Sequence, residues 1–277
     1  MCVSALVVAG AVAAVLLLAR SRDRPAPRPT AVLTVEGPLR APAVPKGFLG
    51  FSTEYSSIER YAHPVVVALI RNLTGGQPTL IRIGGDSADK TWWPIPGATQ
   101  PPGVNYSLDE RWVQVTRALA GEVNARLILG IDLEADSLEL ASVEADHLVS
   151  GLGAGTVAAL ELGNEPELYD SFPFYRLDHH AVTGRPRNHY SLAAFIDDFA
   201  LFSSVLPSLP LAGPTIGGPG WLKHLREFLA DEPQVRLVTV HRYPLQSCFV
   251  KPSSFSRIIR ASLVMCCSVN KLFATAK

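Results

Sequence analysis

From Phe48 onward, short apolar runs alternate with segments whose apolar residues recur at helical spacing. The short runs are almost continuously apolar, as in strands of a parallel sheet covered on both faces. Six read as strands: Phe48–Thr53 (FLGFST), Thr79–Ile83 (TLIRI), Arg126–Ile131 (RLILGI), Val157–Leu162 (VAALEL), Leu211–Ile216 (LAGPTI) and Val235–Tyr243 (VRLVTVHRY). Between them the spacing predicts helices over Pro64–Leu73, Leu108–Ala120, Ser137–Ser150, Leu192–Leu206 and Trp221–Leu229. Their ends carry the expected punctuation. Gly75-Gly76 stops the first, Ser107 with Glu110 forms a capping box for the second, and Ser191 caps the fourth. A strand–helix alternation of this kind specifies an α/β fold with crossover connections.

Polar residues follow each apolar run: Glu54, Asp86, Asp132 with Glu134, Asn164 with Glu165, Gly217-Gly218, and His241 with Tyr243. A (β/α)8 TIM barrel builds its active site at those strand ends. A doubly wound sheet would instead place a ligand at a switch point, often with a phosphate-binding G-x-G-x-x-G turn. Gly217-Gly218-Pro219-Gly220 lacks that spacing. The barrel is therefore the expected architecture, with about six of eight βα units in view.

The composition narrows the function. The 277 residues hold 25 Lys+Arg and 25 Asp+Glu. A zero net charge argues against a nucleic-acid partner, which needs a basic excess. A hydrophobic content of 48% and four Trp argue against disorder. A complete barrel takes about 250 residues, so little else fits in the chain. The four cysteines, Cys2, Cys248, Cys266 and Cys267, suit neither a disulfide framework nor paired zinc ligands. His179-His180 lacks a carboxylate set at ligand spacing, so no metal is expected, and no cofactor.

The amino terminus has its own character. Val3–Ala19 is apolar except for Ser4. As a helix those residues would span roughly 25 Å, a marginal membrane crossing. A secretory signal peptide and an uncleaved anchor both fit. The absence of basic residues before Val3 weakens the first, and Arg20, Arg22, Arg24 and Arg28 would set the orientation of the second. Residues 1–19 are thus expected to engage the membrane or the export machinery, giving a secreted or membrane-anchored protein. Two N-x-S/T sequons, at Asn72 and Asn105, are compatible with export. Residues 20–46 read as a Pro/Arg linker followed by a leading strand, Ala31–Glu36.

The candidate chemistry centres on Glu165. It follows Asn164 at the end of an apolar strand, and Pro166 directs the chain beyond it. A carboxyl at a barrel rim suits general acid catalysis. The competing role is a helix N-terminal Glu that complements the macrodipole.

Four blocks then carry a family resemblance. LELGNEPELY (Leu160–Tyr169) resembles the acid/base strand of clan A retaining glycoside hydrolases. GFLGFSTEYSSI (Gly47–Ile58), LIRIGGDSADKTWW (Leu80–Trp93) and VTVHRYPLQSC (Val238–Cys248) resemble glycoside hydrolase family 79, which includes bacterial β-glucuronidases and is similar to heparanase. The resemblance implies a (β/α)8 barrel, a two-step retaining mechanism and a glucuronide-type carbohydrate substrate. It implies Glu165 as acid/base, Asn164 as the ligand of the sugar 2-hydroxyl, and Tyr243 beside the nucleophile. Glu54, Asp86 and His241 would bind the sugar, and Trp92 with Trp93 would offer a stacking face. For the two tryptophans, packing within the loop is an equal alternative.

One part of that pattern is missing. Retention needs a second carboxylate roughly 5 Å from the acid. In the family it lies on strand seven, beyond the His-x-Tyr strand, yet no Asp or Glu follows Glu232. Residues 249–277 show no strand–turn–helix order and resemble nothing in the family. The barrel portion is therefore expected to span 47–248, with strands seven and eight, the nucleophile and the family's carboxy-terminal β-domain absent. A fragment of this kind would be inactive in retention. Two further readings are a carbohydrate-binding protein without turnover, and an inverting hydrolase with Asp132 or Glu134 as base. The latter needs carboxyls roughly 6.5–9.5 Å apart.

Overall fold

A computed structural model describes residues 47–242. The apolar segment 3–19, the linker, the leading strand 31–36, all four cysteines, Tyr243 and the segment 249–277 lie outside the described residues.

Six strands form one parallel sheet: β1 (Gly50–Thr53), β2 (Thr79–Ile83), β3 (Ala125–Ile131), β4 (Val157–Leu162), β5 (Leu211–Ile216) and β6 (Val235–Val240). They lie side by side in chain order, each parallel to the next. The sheet curls into a half-barrel. A doubly wound sheet would reverse direction at a switch point; this one never does.

Besides the four-residue helices Ile58–Tyr61 and Pro219–Leu222, the described residues form α1 (Pro64–Thr74), α2 (Glu110–Glu122), α3 (Leu138–Leu152), α4 (Leu192–Ser203) and α5 (Leu225–Asp231). Ile70 of α1, Leu119 of α2, Leu148 of α3, Phe195 of α4 and Phe228 of α5 belong to one core cluster with Ile81, Leu127, Leu129, Leu160 and Leu211 of the sheet. These five helices therefore cover the same face, the arrangement of a singly wound sheet. A second, smaller cluster joins Ile128, Ala158, Ala159 and Ala212 to the partly buried Leu80 and Leu237. Small side chains there suit the crowded inner side of a curled sheet. The edge strands are less covered. Leu49 beside β1, and Val238 and Val240 on β6, are 40–42% exposed.

Several element ends follow from local chemistry. Pro64 begins α1, where its missing N–H costs nothing. Gly75 ends it with a left-handed φ of 60°. Ser137 and Ser191 cap α3 and α4 by accepting from the Leu140 and Ala194 amides. The capping box expected at Ser107 does not form. Asp109 caps α2 instead, accepting from Trp112 N–H at 2.7 Å. Ser107 lies in a two-residue strand, Tyr106–Ser107, beside Thr91–Trp92, and its hydroxyl accepts from the Trp92 indole at 2.9 Å. The helix expected over 221–229 is broken into Pro219–Leu222 and α5.

The loop 167–190 contains an antiparallel ribbon, Tyr175–Leu177 with His180–Val182. Asp178 and His179 both have positive φ at its turn, the pattern of a type I′ hairpin. His179-His180 thus belong to a ribbon turn, and among the described residues no cluster of metal-ligating side chains forms. No helix among them is long and apolar enough to cross a membrane.

Candidate active site at the carboxyl ends of the strands

Parallel strands bring all their carboxyl ends to one edge, so residues distant in sequence become neighbours. Glu54 leaves β1, and Asp86 lies in the 3₁₀ turn Gly85–Lys90 after β2. Asn164 and Glu165 leave β4, and His241 leaves β6.

Asn164 is the most connected of these. It is 7% exposed. Its Oδ1 accepts from Arg82 Nη2 at 3.1 Å, and its Nδ2 donates to Asp86 Oδ1 at 3.2 Å. A cation on one side and a carboxylate on the other define which way the amide faces. Arg82 is itself held by Glu161, with Nε 2.5 Å from Oε2. Glu161 is wholly buried in β4, and its other oxygen has no hydrogen-bond partner among the described residues. The charge of Arg82 is therefore largely committed to an internal pair.

Glu165 stands beside His241, with Oε1 2.9 Å from Nδ1. Their side chains are 16% and 14% exposed, largely sheltered from solvent. The Glu165 backbone is left-handed, with φ 49° and ψ 54°. Its N–H donates to Thr215 O at 3.1 Å. Gly217, in the turn after β5, faces this carboxyl. A Cβ there would lie 2.6 Å from Glu165 Oε1, so only glycine leaves the carboxyl in place. Glu167 holds the same turn by accepting from the Gly217 N–H at 2.6 Å and from the Gly218 N–H. Burial pushes the Glu167 carboxyl up from its ordinary pKa.

Glu54 accepts from the Ser87 N–H at 2.9 Å and packs against Gly85, whose φ of 74° and lack of a Cβ both suit the close approach. Glu54, Asp86, Asn164, Glu165 and His241 thus occupy one rim. Trp92 does not join it. It is 5% exposed and packs with Val104, Leu140 and Phe174, so packing and not sugar stacking occupies its ring. Trp93 stacks on His147 at 4.4 Å between ring centroids. Tyr243 lies outside the described residues.

The end of β3 differs from the rest of the rim. Asp132 is 2% exposed and accepts from the Ala135 N–H at 2.9 Å, while its own N–H donates to Glu144 Oε2 at 3.2 Å. A carboxyl so enclosed is out of reach of a substrate, which removes it as an inverting base. Burial, reinforced by neighbouring carboxylates, pushes Asp132 well above its ordinary pKa. Burial does the same to Glu144. Glu134 is pushed up to about 8, first by burial and then by the Asp89 charge, against opposition from Lys90 and Arg185.

Sequence reading did not single out Arg82, Glu161, Glu167 or Asp89. The first two had a signal: each is a charge inside an otherwise apolar strand, TLIRI and VAALEL. Asp89 and Glu167 had none, because their partners are remote in the chain. Comparison with known proteins finds no family model and no curated protein that matches the chain.

Proposed function

We propose that this rim binds a glycoside, and that the chain is a glycoside hydrolase of the β-glucuronidase-like, family 79 type, built on an incomplete (β/α)8 barrel. One observation carries the reading: the Asn164-Glu165 pair at the end of β4, with Asn164 bridging to Asp86 and Glu165 seated against His241. Glu165 is placed to protonate the glycosidic oxygen, with His241 Nδ1 against its carboxyl; bond cleavage also needs a group that attacks the anomeric carbon, and none of the described rim residues is assigned that role. Asn164 and Asp86 present an amide and a carboxylate suited to sugar hydroxyls, with Glu54 extending the set. Singly wound strand order and helices confined to one face support the barrel. Export through residues 3–19 accords with a carbohydrate substrate outside the cytoplasm.

A second reading, sugar binding without turnover, is favoured by the acid-free stretch after Glu232. Retention requires a nucleophilic carboxylate beside the acid. Incubating the 277-residue chain with an aryl β-glucuronide, and titrating it with glucuronic acid, separates the two. Hydrolysis abolished by Glu165→Gln supports the hydrolase. Binding that is weakened by Asn164→Ala, with no hydrolysis, supports the binding protein. Neither binding nor hydrolysis sinks both.

A further inference from the structure

Asp89 lies at the end of the turn after β2 and is 2% exposed. Removing a carboxylate from water is costly unless other donors replace the water. Here both oxygens are saturated. Oδ1 accepts from the Leu133 and Glu134 amides at 3.0 and 3.2 Å. Oδ2 accepts from the Asn164 amide at 2.9 Å and from the Tyr169 hydroxyl at 2.7 Å. One side chain thus ties the exit of β2 to the exits of β3 and β4.

The position of these donors matters more than their number. The Asn164 amide immediately precedes Glu165, whose left-handed φ of 49° is uncommon for a residue with a side chain. Such a conformation persists only when its surroundings over-determine it. The Asn164 N–H is also within reach of the Tyr169 hydroxyl oxygen, at 3.0 Å, and the Glu165 N–H is held by Thr215 O. The two consecutive amides are therefore both pinned, one by Asp89 with Tyr169 and the next by Thr215 of β5.

We propose that Asp89 is a positioning residue of this site: it sets the backbone of Asn164-Glu165 and thereby aims the Asn164 amide and the Glu165 carboxyl. Asp89 touches no substrate. What is being aimed at rests on the glycoside reading; the anchoring itself does not.

The test uses the full chain with Asp89→Asn, Tyr169→Phe and, as a remote destabilising control, Phe228→Leu in the core. Asp89→Asn turns one acceptor into an NH₂ group that faces N–H donors. The readouts are residue-resolved amide hydrogen exchange and affinity for glucuronic acid. With Asp89→Asn, exchange at Leu133, Glu134 and Asn164 should rise roughly tenfold or more relative to β2 and β3 amides. Affinity should fall about tenfold, equivalent to about 1.4 kcal/mol. Tyr169→Phe should move both in the same direction by less. Phe228→Leu should lower the melting temperature without selective loosening at Asn164. Unchanged exchange at Asn164 in both rim variants overturns the proposal, as does equal loosening in the control. If Asp89→Asn does not fold, Tyr169→Phe decides alone. Loosened exchange with unchanged affinity also overturns it, because the anchor is then structural only. A wild-type chain that binds no glucuronic acid defeats the glycoside reading while the exchange data still judge the anchor.

Discussion

At the scale of single residues, the rim depends on what stands next to each carboxyl. Gly217 leaves space for Glu165. Gly217→Ala should therefore displace the carboxyl with only a small loss of stability and, on the glycoside proposal, lower any affinity for glucuronic acid by about tenfold or more; thermal melting and titration check this. The buried Arg82–Glu161 pair makes a sharper prediction. Arg82→Met should cost about 3–5 kcal/mol in denaturant unfolding, because it strands the wholly buried Glu161. The double replacement of Arg82 and Glu161 by Met should recover much of that loss, since no unpaired charge remains. The strand-end placement of Glu54, Asp86, Asn164, Glu165 and His241 was legible because each follows an apolar run within three residues. Asp89, with partners 44 to 80 positions away, was not.

At the scale of elements, position in the chain and position on a face decide different things. The strands announced themselves by apolar continuity, and all six form near the expected positions, although β1 begins at Gly50 rather than Phe48 and β6 ends at Val240 rather than Tyr243. Helix starts were legible where a Ser had no rival partner, at Ser137 and Ser191. They were misread at Ser107, where the Trp92 indole claims the hydroxyl and Asp109 supplies the cap. Asp109→Ala should then cost about 0.5–2 kcal/mol, read by denaturant unfolding. α4 and α5 meet β5 through aromatic packing. Phe199 and Phe228 lie 5.1 Å apart edge-to-face, and Phe195 stacks on Phe228 at 5.7 Å. Phe228 is wholly buried, so Phe228→Ala should cost about 3–5 kcal/mol by the same measurement.

For the molecule as a whole, the buried acids link stability to pH. Burial raises the pKa of Asp132, Glu144 and Glu134, Glu134 to about 8. The folded chain then holds protons that the unfolded chain has released. Their contribution is fully present below the ordinary carboxyl range and is lost as pH rises through the raised values. The melting temperature should fall as pH rises from roughly 5 to 9, and Glu134→Gln should flatten the upper part of that slope. A melting temperature that climbs over this range would contradict the assignment. The sequence alone determined an alternation of apolar strands and amphipathic helices, and with it an α/β fold whose polar residues gather at strand ends. Apolar period and capping chemistry are local, so they can be read from neighbours. Tertiary structure alone decided that the strands lie in chain order with helices on one face. It also decided that Trp92 is core and Asp132 enclosed, and that Asp89 braces Asn164. Those outcomes depend on which distant groups compete for the same space and the same hydrogen bonds, and no local pattern encodes that competition.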